Sequence, residues 1–106
     1  MTSPELTFTS RVWLWSGNAA WHFVSLPEDV ADEIEALSVG LTRGFGSVRV
    51  EVTCKDVRWR TSLFPDRKTS TYLLPLKKQV RDQLGLRVGS RVTITVQVLI
   101  DRPGIS

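Results

Sequence analysis

One cysteine, one histidine, one methionine and one tyrosine occur in 106 residues, and two of these shortages narrow the range of function. A lone Cys54 excludes an internal disulfide and a cysteine-based metal cluster. It also points to a reduced compartment, most simply the cytoplasm. A lone His22, in the stretch AWHFVS with no acid or nucleophile beside it, reads as a structural residue of a strand. No run reaches the roughly 18 apolar residues of a membrane helix. The opening MTSPELTFTSRV lacks the basic-then-apolar order of a secretory leader. Phosphate-loop, GxSxG, HExxH and EF-hand patterns are missing as well. No metal or cofactor is expected, and no enzyme: catalysis would need His22, Glu51 or Asp56 to converge in a cleft.

What the chain does have is charge, unevenly spread. The net charge is +3, yet residues 1–39 carry one arginine against six carboxylates. Residues 40–91 carry twelve Lys and Arg against four. Such polarity aids solubility in most proteins, and it also attracts acidic partners.

The length fits one domain over residues 1–106, with an ordered core at 5–100 and a loose tail at 101–106. Residues 6–16 read as a strand with Leu6, Phe8, Val12 and Leu14 on one face, and residues 20–26 as a second. PEDVADEIEALS, residues 27–38, is a short amphipathic helix with Val30, Ile34 and Leu37 on one side.

The stretch GFGSVRVEVTCKDVRWRTSLFP is the clearest signal. Val48, Val50, Val52 and Cys54 alternate with polar residues, and after Lys55-Asp56 so do Val57, Trp59, Thr61 and Leu63. A hairpin turning at Lys55-Asp56 sets Arg49 against Ser62, Glu51 against Arg60 and Thr53 against Arg58 on its outer face. Arg60 thus has an acid across from it, whereas Arg49 and Arg58 do not. Gly44 and Gly46 read as a loop or bulge ahead of this hairpin.

TYLL, residues 71–74, is a short strand, and Pro75 is expected to take the chain out of the sheet. Residues 76–84 form a helix with Leu76, Val80 and Leu84 inward, closed by Gly85 as C′ residue. A long strand follows the turn at residues 88–90, with Val92, Ile94, Val96, Val98 and Ile100 facing in. Leu26-Pro27 and the apolar spacing after it recur loosely from Leu74-Pro75, as two units related by a pseudo-two-fold axis would. Six strands and two short helices imply a mainly β fold, a small closed barrel. Trp13, Trp15, Trp21 and Trp59 are expected to fill its core and the space beneath a helix.

Two resemblances add to this. RGFGSVRVEV (43–52), WRTSLFPDRK (59–68) and YLLPLKKQVRDQLGLRVGSRVTITV (72–96) resemble the bacterial family catalogued as domain of unknown function nineteen-oh-five. That resemblance implies a small closed β-barrel and is silent on mechanism. Lys55-Asp56 stands where such sequences often carry glycine. LPLKKQVRDQLGLRVGSRVTITV (74–96) is also similar to the swapped-hairpin motif of AbrB/MazE-type dimeric DNA binders. It implies phosphate-facing roles for Lys77, Lys78 and Arg81.

The expectation is therefore a non-enzymatic binding or interaction module of unknown function. The alternative is a nucleic-acid-binding regulator using the basic surface of residues 43–91. Arg49, Arg58, Lys77, Lys78 and Arg81 are the candidate partner-binding residues. Partners in view are nucleic acid, another protein or a second copy of the chain, and not a membrane.

Overall fold

The computed structural model describes residues 3–17, 20–42 and 46–100. Gly44 and the tail expected at residues 101–106 lie outside the described residues. In chain order the elements are β1 (Glu5–Leu14), β2 (His22–Ser25), α1 (Glu28–Leu37), β3 (Val48–Cys54) and β4 (Val57–Asp66), then β5 (Thr71–Pro75), α2 (Lys78–Leu84) and β6 (Arg91–Val98). The six strands close into one antiparallel barrel in the order β1-β2-β5-β4-β3-β6. Closure gives each strand two strand neighbours, which limits the usual route to edge-to-edge aggregation.

The strict alternation of β3 and β4 dictates their register. Arg49 lies opposite Ser62, Glu51 opposite Arg60 and Thr53 opposite Arg58, as the period-two pattern predicts. The inward set Val48, Val50, Val52 and Leu63 is fully buried, and it joins Val12, Val24, Leu74, Ile94 and Val96 in a core of aliphatic side chains. The helix α1 buries Val30, Ala31 and Ile34, and α2 buries Val80. Gly85 ends α2 in the left-handed conformation, φ 65°, with the Leu86 amide donating to the Arg81 carbonyl at 2.9 Å.

The hairpin turn is two residues long, Cys54 pairing with Val57. Only Lys55 adopts positive φ there, at 55°. A left-handed non-glycine residue costs about 1–2 kcal/mol, and glycine's larger unfolded-state entropy returns about 0.4–1 kcal/mol of that. Lys55→Gly should therefore stabilise the domain by about 0.5 kcal/mol. In a thermal melt this is an upward shift of about 2–4 °C, and a downward shift would show that the turn is not strained.

Three expectations need correction. Leu14 is 45% exposed and Ile100 39%, although Leu14 was expected to share the face of Leu6, Phe8 and Val12 and Ile100 to face in. Leu14 sits opposite His22 on the last rung of β1–β2, and Ile100 lies two residues past the end of β6, so neither reaches the packed interior. Pro75 does pair, opposite Phe23. The Leu26 amide donates to the Tyr72 carbonyl and the Leu76 amide to the His22 carbonyl. The intervening Phe23–Pro75 rung is then a non-hydrogen-bonded one, which asks no donor of proline.

Those two hydrogen bonds also expose the internal symmetry. Exchanging β1 with β4, β2 with β5, β3 with β6 and α1 with α2 interchanges β1–β2 with β4–β5 and β1–β6 with β3–β4, and maps β2–β5 and β3–β6 onto themselves. Leu26 then corresponds to Leu76 and His22 to Tyr72. The central rung, Val24 opposite Leu74, lies on the axis.

Candidate functional site

On β4 the period of two puts Arg58, Arg60, Ser62 and Phe64 on the outer side. The β3–β4 ladder brings Arg49 against Ser62, and an Arg49 Nη1–H donates to Ser62 Oγ at 3.3 Å. Where the chain leaves β5, Lys77 flanks the first turn of α2, and Arg81 reaches back from the next turn. Arg81 Nε donates to the Leu76 carbonyl at 3.1 Å. Its Nη1 lies 3.4 Å from His22 Nε2. The other ring nitrogen, Nδ1, is 3.2 Å from the Ala20 carbonyl. A carbonyl can only accept, so Nδ1 carries the proton and Nε2 receives the arginine hydrogen.

These side chains surround an open cleft of about 460 Å³. Arg49, Lys77 and Arg81 supply three positive charges, His22 and Ser62 supply polar atoms, and Trp21 and Phe64 supply flat apolar surface. Trp21 is 49% exposed and Phe64 41%. Trp21 stacks on Phe23 with centroids 5.9 Å apart and planes within 8°, so its exposed ring is held from behind. Among the described residues the ion pairs are Arg58 and Arg60 with Glu51, and Lys78 with Asp82. None uses Arg49, Lys77 or Arg81, and among the described residues no carboxylate lines the cleft. Three cations held together without a counter-charge repel one another, and an anion would relieve that repulsion.

A second groove of about 590 Å³ shares Lys77 with the first. Arg58, Trp59 and Arg60 of β4 face Gln79 and Gln83 of α2 across it.

Of the five residues singled out in the sequence, the fold thus gathers Arg49, Lys77 and Arg81 in one cleft and puts Arg58 in the adjoining groove. Lys78 lines neither and is turned to Asp82, 2.6 Å away. Sequence reasoning missed His22, Trp21 and Phe64 as members. Phe64 carried a signal, since it falls on the polar parity of β4, after Arg58, Arg60 and Ser62. The expectation that the tryptophans fill the core needs correction too: Trp15 is 47% exposed and Trp21 nearly half, while Trp13 and Trp59 are half-buried. Aliphatic side chains already fill an interior this narrow, so the indoles are displaced to its surface and ends. Nor do His22, Glu51 and Asp56 converge. His22 lines the cleft, Asp56 the neighbouring groove, and Glu51 is engaged by Arg58 and Arg60 on the outer wall.

The pseudo-two-fold axis supplies an internal control. Counting from Leu26 and Leu76, the positions of Lys77 and Arg81 correspond to Pro27 and Ala31. Phe64 pairs with Leu73 as Trp13 pairs with Phe23, so Phe64 corresponds to Trp13. In that other half Trp13 rests on Phe23, centroids 5.3 Å apart, and its indole N–H donates to Ser25 Oγ at 2.9 Å. The same backbone is thus built once with Pro27 and a buried Ala31, and once with two cations beside an open cleft. The fold itself does not require those cations.

A family profile described as Domain of unknown function (DUF1905) matches residues 8–96. The chain belongs to the DUF1905 family. No curated protein matches it. The match takes in both helices of the DUF1905 barrel and every residue that lines the cleft. The segment 74–96 that resembles AbrB/MazE-type binders is part of the second half of a barrel closed within one chain. Cys54 is a buried free thiol, pushed up in pKa by burial, with Lys55 opposing in part. Among the described residues no cluster of His, Cys, Asp and Glu is placed to hold a metal ion, and no helix is long and apolar enough to cross a membrane.

Proposed function

We propose that this DUF1905 domain is a non-enzymatic binding module whose ligand is a nucleotide, an anion that also carries a flat ring. The observation that carries the reading is the convergence of Arg49, Lys77 and Arg81, free of carboxylates among the described residues, beside the exposed rings of Trp21 and Phe64. Phosphate oxygens satisfy the cations through charge-assisted hydrogen bonds, and a base satisfies the aromatic wall by stacking. A cleft of about 460 Å³ lies within the usual range for small-molecule sites. What supports a binding role over catalysis is the state of His22, whose two ring nitrogens are engaged by Ala20 and Arg81 with no acid beside them among the described residues. The setting this reading supposes is the cytoplasm, where nucleotides are plentiful and a thiol such as Cys54 stays reduced.

The test is displacement of a fluorescent ATP analogue by ATP and by inorganic tripolyphosphate at low salt. ATP should bind with a dissociation constant on the order of 10–100 μM. Tripolyphosphate should compete about tenfold more weakly, because it lacks the stacking base. Equal competition would remove the ring from the account, and absence of binding would end the reading.

A regulator of duplex DNA is the second reading, favoured by exposed Arg67, Lys68, Arg87 and Arg91, which widen the basic surface beyond the cleft. Such a partner, held by its phosphates, would be indifferent to Trp21 and Phe64.

A further inference from the structure

We infer that the cleft is one end of a track for single-stranded nucleic acid, which passes Lys77 and ends in the groove of Arg58 and Arg60. This rests on the cleft accepting a nucleotide and extends it from a monomer to a strand.

Three observations carry it. The cleft and the groove are adjoining, since Lys77 lines both. They share one wall, the outer side of β4, which presents Phe64, Ser62, Arg60 and Arg58 in a row. At about 3.3 Å per residue that row is about 20 Å long, room for about six nucleotides at the stacked spacing of 3.4 Å. The opposite wall is α2, where Gln79 and Gln83, four residues apart on one helix face, bring amides to the groove. Amides both donate and accept, so they suit the edges of unpaired bases.

The chemistry changes along the row as a strand would need. Bare aromatic rings at the cleft offer a stacking surface that only an unpaired base can use, since a duplex keeps its base faces covered. The cations along the way serve the phosphates. Arg58 and Arg60 share Glu51 at 4.0 and 3.4 Å, so that triad contributes one net positive charge. With Arg49, Lys77 and Arg81 the track holds about four, which for single strands gives a slope of about −3 in log affinity against log salt.

The experiment is fluorescence anisotropy on the full chain with labelled oligo-dT of two, four, six and twelve nucleotides and a twelve-base-pair duplex, over a salt series. Affinity should rise at least tenfold from the dinucleotide to the hexanucleotide and then level off, with the duplex weaker than the twelve-nucleotide strand. Arg58→Ala/Arg60→Ala should weaken the hexanucleotide about tenfold while leaving the ATP analogue within twofold. Both arginines are exposed, and Arg58→Gln/Arg60→Gln gives the same readout should the alanine variant melt early. A hexanucleotide no tighter than a dinucleotide, with the ATP analogue still bound, overturns the track and leaves the nucleotide cleft standing. A duplex bound as tightly as the strand overturns it in favour of the broad basic surface. Failure of every oligonucleotide and of the ATP analogue removes cleft and track together.

Discussion

The Arg49→Ala/Lys77→Ala variant should bind the ATP analogue about 30- to 100-fold more weakly than the parent and melt within about 2 °C of it. Both side chains are exposed, and neither has an ion-pair partner among the described residues. The Arg49 contact to Ser62 Oγ is a single surface hydrogen bond. Substitutions of that kind usually stay within about 0.5 kcal/mol in stability. Affinity responds differently, because a hydrogen bond to a charged group contributes about 1.5–3 kcal/mol, discounted here for solvent. Roughly 1–1.4 kcal/mol for each cation gives the stated factor. Lys77→Ala alone should weaken binding about 5- to 10-fold. Lys78→Ala is its matched control: equal charge is removed one residue away, from a side chain already bound to Asp82, and affinity should change less than twofold. If Lys78→Ala weakens binding as much as Lys77→Ala does, binding follows net charge and the cleft is not the site. Arg81→Ala is less clean, since Arg81 also donates to the Leu76 carbonyl, and it should lower affinity and stability together.

That contrast between neighbours shows what a linear sequence can reveal. The β3–β4 register was legible because one-residue slippage would turn Val48, Val50 and Val52 out to solvent and the arginines in. The pairing of Glu51 with Arg60 followed at once. The cleft was only partly legible, because it is assembled from Trp21, Arg49, Phe64 and Arg81, which are far apart in the chain. They meet through the β2–β5 pairing, a long-range contact with no local pattern of its own. The apolar spacing of Val30 and Ile34, which recurs at Val80 and Leu84, was a trace of it in the sequence. The Leu-Pro pairs themselves do not correspond, since Leu26-Pro27 matches Leu76-Lys77. Helical periodicity alone could not tell Lys77 from Lys78, one aimed at the cleft and the other at Asp82.

The tryptophans failed for a different reason. Their hydrophobicity favours burial in general, but burial also needs volume. The interior of a six-stranded barrel is taken up by Val, Leu and Ile side chains that are fully enclosed. The indoles must then sit at the ends or on the outside. In the first half of the molecule Trp13 is tied down by Ser25 and Phe23. In the second half Phe64 lines the cleft and is 41% exposed. An apolar ring left exposed where its symmetry mate is packed is the surface that the proposed nucleotide would use for stacking.

Leu74→Ala provides the complementary case, a large loss of stability on the wall that adjoins the cleft. Leu74 is fully buried and pairs with the equally buried Val24 on the pseudo-two-fold axis. A cavity there is lined by strands of both halves, which cannot collapse inward without breaking the β2–β5 ladder. The cost should be about 2–5 kcal/mol, against a total stability of about 5–15 kcal/mol for a domain of ordinary stability. Urea unfolding should show an earlier midpoint at an unchanged slope, as for a pure loss of stability. Phe64→Ala, on the adjoining strand, should cost under about 1 kcal/mol because its ring is already 41% exposed. Yet it should weaken nucleotide binding by about 1–3 kcal/mol through the lost stacking surface. The two side chains thus separate folding from binding at neighbouring positions. A Leu74→Ala loss below about 1 kcal/mol would mean that the two halves do not share one core at the axis. A large stability loss in Phe64→Ala would mean that its ring serves the fold, and the aromatic wall would lose its claim to a ligand.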